Sequence, residues 1–256
     1  MIVNIGHSGE RINPSEFKST VEYLIYLRHL FAYEHATEVF SKEDIILEIG
    51  CGEGYGTSFI SKKVKMIVSL DVDLKTLKKA KEKYGPSCNF ILYNGTDLPI
   101  KSNKFDGVIS FQVIEHVQDD SKYILEVYRV LKKCSVFLCT TPNRAYRLEP
   151  DQKPWNPFHI REYYAKELER ILRNIFCEVK VVGIRGSDEV QAIEIKRVKP
   201  RGIHLKIYEK ISSIVANNSR GKSKSDNFGE KYFTRDFYIT DDANEEGLDL
   251  LGICRK

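Results

Sequence analysis

With 256 residues, 42% apolar and 30% charged, the chain is long enough to bury a sizeable core and has the composition expected of an ordinary soluble protein. No run approaches the roughly 18 apolar residues of a membrane span, and the opening MIVNIGHSGER lacks the basic start and apolar centre of a signal peptide. A net charge of +4 permits an anionic partner without demanding one. The six cysteines, at 51, 88, 134, 139, 177 and 254, form no CxxC pair. That points to a reduced, cytoplasmic protein with no structural metal centre.

Residues 15 to 40 carry apolar side chains at helical spacing. Phe17, Val21, Leu24 and Phe31 make one stripe; Tyr23, Leu27 and Leu30 make a second. One or two helices are therefore expected to cap the fold over residues 1–40. Ile45 to Ile49 then reads as a short buried strand, because β-branched and apolar residues run together until glycine stops them. Gly50, Gly52, Gly54 and Gly56 follow, and a helix begins near Tyr55. A strand, a glycine turn and a helix N-terminus gather backbone N–H groups and the positive end of the helix dipole at one point, which suits an anionic group. The turn is neither a P-loop nor G-x-G-x-x-G, since the third position of that pattern falls on Tyr55. It reads E-x-G-x-G-x-G, with Glu48 two residues ahead of the first glycine.

A second strand, Met66 to Leu70, ends at Asp71, which stands 21 residues after Gly50. A carboxylate about 20 residues beyond a glycine turn is placed to accept hydrogen bonds from ribose hydroxyls. Asp73 caps a helix whose Leu74, Leu77, Ala80 and Tyr84 share a face. A third strand, Cys88 to Tyr93, leads into Asn94-Gly95-Thr96-Asp97-Leu98-Pro99, and a fourth, Phe105 to Phe111, into Gln112-Val113-Ile114-Glu115-His116-Val117. In an open parallel sheet, ligands lie beyond the carboxyl ends of the strands where strand order reverses, so this last segment should face the reacting group. Asp119 and Asp120 start a helix with Tyr123, Ile124, Val127, Val130 and Leu131 inward, and Ser135 to Thr140 is a fifth strand.

Beyond it runs a long segment with four prolines, Pro142, Pro150, Pro154 and Pro157, and the sole Trp, Trp155. Such a segment is expected to be an ordered, functional loop. A helix through Leu168, Ile171, Leu172 and Ile175, a sixth strand from Glu178 to Ile184 and a last strand in LDLLGICRK complete one domain over residues 1–256. Residues 185–240 form an insertion, basic at Lys196, Arg197, Lys199, Arg201 and Lys206 and rich in Ser, Lys and Asn at 217–227. A solvated excursion, a lid over the acceptor and a patch for a phosphate-bearing substrate are the alternatives for it.

Taken together, the E-x-G-x-G-x-G turn, Asp71 and FDGVIS…IEH resemble the motif set of the class I S-adenosylmethionine-dependent methyltransferases. The resemblance implies a Rossmann-like α/β fold: a seven-stranded, mostly parallel sheet flanked by helices, its last strand antiparallel. It implies S-adenosyl-L-methionine as cofactor and S-adenosyl-L-homocysteine as product. Glu48 would help hold the cofactor's ammonium end, with Gly50, Cys51, Gly52, Gly54 and Tyr55 forming the turn. Asp71 and Val72 would meet the ribose, Asn94, Gly95 and Thr96 the adenine, and Phe111 and Gln112 the methyl end. Asn94 departs from the Asp usual in the family; its carbonyl could still accept from the adenine amino group, with Asp97 as an alternative acceptor.

No N/D-P-P-Y/F element is present, so a nucleic-acid partner is not expected. Ser8-Gly9-Glu10-Arg11 with Pro14, RHLFA at 28–32, TPN at 141–143 and NPFHIREY at 156–163 resemble a subgroup associated with sugar or glycan acceptors. A lipid or quinone-type acceptor and a non-catalytic cofactor-binding subunit are the alternatives. His116 and His159 are the candidate bases, because histidine suits proton removal near neutral pH. Glu115 could orient either. No histidine and carboxylate cluster has recognisable ligand spacing, although residues distant in sequence could still meet.

Overall fold

The computed structural model describes residues 12, 14, 16–198 and 231–256. The segment Ser8 to Arg11 and the run 217–227, both singled out in the sequence, lie outside the described residues, as do Lys199, Arg201 and Lys206.

One helix, α1 (Thr20–Val39), precedes the first strand; the Ser19 hydroxyl accepts from the Glu22 N–H and caps it. The chain then runs β1 (Ile45–Ile49), α2 (Tyr55–Ser61), β2 (Met66–Asp71), α3 (Leu74–Tyr84), β3 (Asn89–Leu92) and β4 (Phe105–Phe111). A single 3-10 turn at Ile114–His116 leads to α4 (Asp120–Val130), β5 (Leu131–Pro142), α5 (Arg144–Arg147), α6 (Ala165–Arg173), β6 (Glu178–Gly186) and α7 (Asp188–Val198). Asp73 and Asp119 cap α3 and α4 by accepting backbone N–H groups. The last described stretch holds β7 (Phe237–Thr240), a short helix at Ala243–Glu246 and β8 (Asp249–Arg255).

The sheet order is β3-β2-β1-β4-β5-β8-β6-β7. Strands β1 to β5 pair in parallel, while β8 enters between β5 and β6 and is antiparallel to both. The expected antiparallel last strand is there. The count of seven needs correction, because β7 adds an eighth strand at the β6 edge. It lies inside 185–240, and its own apolar residues hid within a stretch dominated by charge. The described parts of that stretch are no solvated excursion either. Val190 of α7 and Tyr232 are buried, and Glu194 is 1% exposed.

Strand alternation sends Ile46 to one face of the sheet and Leu47 and Ile49 to the other. On the Leu47 face, Ile124 and Val127 of α4 and Leu168 and Leu172 of α6 complete the core. On the Ile46 face, Leu24, Leu27 and Ala36 of α1 pack with Ile60 of α2 and Val190 of α7. Helix α1 thus forms part of the fold's main layer. It also brings a charge inside: Arg28 is 3% exposed and pairs with Asp249 Oδ2 of β8 at 2.7 Å and Glu194 Oε2 of α7 at 3.4 Å. Among the described residues no helix is long and apolar enough to cross a membrane.

Candidate active site

Strand order reverses between β1 and β4, and a cavity of about 530 Å³ opens at their carboxyl ends. Its wall includes eleven of the thirteen residues expected to meet the cofactor: Gly50, Cys51, Gly52, Tyr55, Asp71, Val72, Asn94, Gly95, Thr96, Phe111 and Gln112. The other two, Glu48 and Gly54, stand behind it.

The glycine turn holds itself together with the donors that were expected to face a ligand. The N–H groups of Gly50 and Cys51 both donate to Leu70 O, at 2.7 and 3.0 Å, and Gly54 N–H donates to Cys51 O at 3.0 Å. Gly52 N–H donates to Asp71 Oδ2 at 2.8 Å. The anion-binding role expected of these four donors is therefore corrected: those of Gly50, Cys51 and Gly52 fasten the end of β1 to the end of β2, and that of Gly54 closes the turn on itself. What the turn offers a ligand is close approach. Gly50 has φ +80°, and a Cβ there would lie 2.3 Å from Val113 Cγ2. Gly52 has φ +51°, and a Cβ there would meet nothing within 4 Å, so it borders open space.

Asp71 is 6% exposed, and each carboxylate oxygen takes one backbone N–H, Oδ2 from Gly52 and Oδ1 from Asp73 at 2.9 Å. The main chain thus fixes both oxygens of a carboxylate that stands on the cavity wall. The arrangement fits a ribose.

Two expectations fail on hydrogen-bond accounting. Glu48 is 1% exposed and accepts from three hydroxyls, those of Tyr33 (2.7 Å), Thr57 and Ser69 (2.8 Å). Burial raises its pKa, and the three hydroxyls pull it back down. Glu48 therefore reaches the cavity only through Tyr33, which lines it. Asn94 Oδ1 already accepts from Thr96 N, Thr96 Oγ1 and Asp97 N at 3.0 to 3.1 Å, forming the turn of its own loop. A carbonyl oxygen with three donors is not a ready acceptor for an adenine amino group. Asp97, the alternative, pairs with Lys122 at 2.8 Å and is absent from the cavity wall.

At the opposite wall, Gln112 takes φ +58°, uncommon for a residue with a side chain. Its N–H donates to Thr140 O, and its Nε2 to Thr140 Oγ1 (3.3 Å) and Asp249 Oδ2 (3.2 Å). Next to it the 3-10 turn places His116 on the cavity wall and Glu115 inside the protein. The Pro-rich loop comes back to this turn: Ile160 N–H donates to Glu115 O at 2.9 Å, and His116 Nδ1 lies 3.0 Å from Phe158 O. The loop thereby sets the His159 ring 4.8 Å from the His116 ring, edge to face. His159 is 6% exposed and does not line the cavity; its Nδ1 lies 2.8 Å from Glu162 Oε1. Glu115 Oε2 accepts from Thr141 Oγ1 at 2.9 Å.

Four tyrosines also line the cavity: Tyr33, Tyr55, Tyr93 and Tyr123. Burial pushes each phenol pKa upward, so all four stay protonated near neutral pH and serve as walls and donors. The sequence reading placed Tyr55 in the glycine turn but missed Tyr33, Tyr93 and Tyr123 as site residues, together with His29, whose Nδ1 is 3.4 Å from Tyr55 OH. One signal was present: His29 and Tyr33 stand four apart on α1, on a face outside both apolar stripes.

This is the Rossmann-like fold found in methyltransferases, and comparison with known proteins agrees. Residues 47–139 match the family model of a methyltransferase domain. A Mycolicibacterium smegmatis protein named a probable S-adenosylmethionine-dependent methyltransferase is 35% identical over 173 residues, covering 68% of this chain and 65% of that protein. The chain thus spans just under two thirds of that relative's length. A ubiquinone biosynthesis O-methyltransferase of Bartonella quintana is 31% identical over 105 residues, 40% of this chain and 42% of that one. Among solved structures, a SAM-dependent methyltransferase of Thermotoga maritima shares the fold, with TM-score 0.57 and 18% identity over 90% of this chain and 92% of that one. Residues 47–139 thus resemble a methyltransferase domain, and the chain is similar over about two thirds of its length to S-adenosylmethionine-dependent methyltransferases.

Proposed function

We propose that the protein transfers a methyl group from S-adenosylmethionine to a hydroxyl oxygen of a small acceptor, for which a sugar or glycan precursor is the first choice. One observation carries this reading: eleven of the thirteen residues expected to hold the cofactor and the half-buried His116 line the same cavity. When bound, the cofactor supplies a sulfonium methyl: its S–CH₃ bond breaks with the electron pair returning to sulfur, an O–CH₃ bond forms, and the acceptor's hydroxyl proton passes to water.

The chain's own residues align the partners. Asp71 holds the ribose hydroxyls, Gly52 lets the cofactor approach the main chain, and the rigid Gln112 backbone borders the transfer point. Alignment of this kind supplies roughly 7 to 11 kcal/mol of the barrier reduction. On the acceptor side His116 engages the hydroxyl, with His159 and Glu115 behind it. Gln118, Asp119 and Lys122 add polar groups to the cavity wall, in keeping with a hydroxylated acceptor. The quinone-type alternative draws on the Bartonella relative and on Val113 and Val117, which also line the cavity. Six cysteines without a disulfide favour a cytoplasmic setting.

Calorimetry with S-adenosylhomocysteine is the first test, and binding at one site per chain is expected. Labelled methyl transfer to cell extract should then mark a small, nuclease-resistant product. His116→Ala should lower turnover roughly 10²- to 10⁴-fold. Cofactor binding with no labelled acceptor would instead favour a non-catalytic subunit.

A further inference from the structure

Glu115 and His116 stand more than forty residues from His159 in the chain, and the fold brings one ligand atom from each to within 4.8 Å of the others. We propose that these three residues form a binding site for a divalent transition-metal ion of the Zn²⁺ type, opening toward the acceptor side of the cavity. The inference rests on the methyltransferase reading only for the purpose it gives the ion.

The donor set argues for the class of metal. Two imidazoles and one carboxylate suit zinc, manganese or iron, whereas calcium and magnesium want oxygen ligands throughout. The second argument lies behind the ligands. A histidine that binds metal characteristically donates its other ring N–H to a carboxylate or a backbone carbonyl, which fixes the tautomer. Both rings here do so. His116 Nδ1 faces Phe158 O at 3.0 Å, and His159 Nδ1 faces Glu162 Oε1 at 2.8 Å, so Nε2 is the atom through which each would reach an ion. Glu162 lies in turn 3.5 Å from the Arg147 guanidinium. The Glu115 carboxylate is steadied by Thr141 Oγ1.

Bond lengths of about 2.0 to 2.1 Å put tetrahedral ligand atoms roughly 3.3 Å apart, so the widest edge must close by at most roughly 1.5 Å. Side-chain rotation covers that distance. Glu115 and His159 are buried while His116 is half-buried on the cavity wall, so the open coordination position faces the cavity. An ion there would coordinate the acceptor's hydroxyl oxygen and ease loss of its proton to water as the methyl arrives.

The experiment titrates the chelator-treated full chain with Zn²⁺ by calorimetry, with and without S-adenosylhomocysteine, and repeats it with Co²⁺ to read the visible absorption of the bound ion. One ion per chain is expected. His159→Ala and Glu115→Gln should weaken it at least about hundredfold, and Glu162→Gln, which leaves all three ligands in place, by about 10- to 100-fold. Retained S-adenosylhomocysteine binding shows that each variant is folded. A wild-type chain that binds S-adenosylhomocysteine but no Zn²⁺ overturns the proposal, as does Zn²⁺ binding that none of the three variants weakens. Zn²⁺ binding sensitive to the variants, without any affinity for S-adenosylhomocysteine, would uphold the metal site and overturn the methyltransferase reading.

Discussion

The two walls of the cavity are built in opposite ways. The cofactor wall is local: Gly50 to Asp71 is one crossover, and its hydrogen bonds join the end of β1 to the end of β2. The acceptor wall is assembled from afar. Glu115 and His116 meet His159 through a loop, and Gln112 leans on Asp249, 137 residues away. The first wall is mostly backbone with one carboxylate; the second is mostly side chains, held from behind by the buried Glu115, His159 and Asp249. Backbone geometry recurs wherever the same turn is needed, whereas a constellation of side chains can be re-specified one residue at a time. Such a division lets one cofactor site serve many acceptors.

If the acceptor wall depends on buried charge, removing one charge should cost the whole fold. Asp249→Ala leaves Arg28 buried with only the longer contact to Glu194, and Gln112 Nε2 loses an acceptor. Breaking a buried pair in this way costs roughly 3 to 5 kcal/mol, which denaturant unfolding would read directly. A loss below about 1 kcal/mol would mean that the network is not what holds this wall. On the cofactor wall the damage should be confined to binding. Asp71→Ala removes the acceptor of the Gly52 and Asp73 N–H groups and, on the proposed reading, of the ribose hydroxyls. About 2 to 3 kcal/mol, or roughly a hundredfold, should be lost from S-adenosylhomocysteine affinity in calorimetry, since hydrogen bonds to a charged group are worth about 1.5 to 3 kcal/mol.

The same contrast explains what could be read from the chain. Strand β1, the glycine turn, Asp71 and β4 announce themselves through local rules of apolar runs, positive-φ glycines and crossover length, and the structure has them where those rules put them. Spacing could not tell which polar groups are already spoken for. Glu48 and Asn94 sit where their motif positions require, yet three hydroxyls and a tight turn occupy their oxygens. Nor could spacing show Arg28 turned inward, because its partners come from α7 and β8. Strand β7 was missed for a related reason: it is four residues long and has a partner on one side only.

The smallest expected effect lies where α4 braces the loop at Leu98 and Ile100, behind the wall proposed to hold the cofactor. Glu126 Oε2 accepts the Leu98 N–H at 3.0 Å, while Arg129, bonded to Glu126, donates to the carbonyls of Leu98 and Ile100. The hydrogen bond from Arg129 leads the causes that hold the Glu126 pKa below its ordinary value; burial works against it. A carboxylate whose folded-state pKa is depressed stabilises the fold above its unfolded pKa of about 4.3, and that contribution is lost as pH falls through the lower folded value. Glu126→Gln should therefore cost about 1 kcal/mol at pH 7, and the gap from wild type should narrow as the pH is taken from 7 down through and below the unfolded pKa of about 4.3. Unfolding curves over that pH range check this, and a gap that persists in acid would show that the brace works through shape alone. S-adenosylhomocysteine affinity should fall only severalfold at neutral pH, because the brace supports the loop from behind and neither Glu126 nor Arg129 lines the cavity.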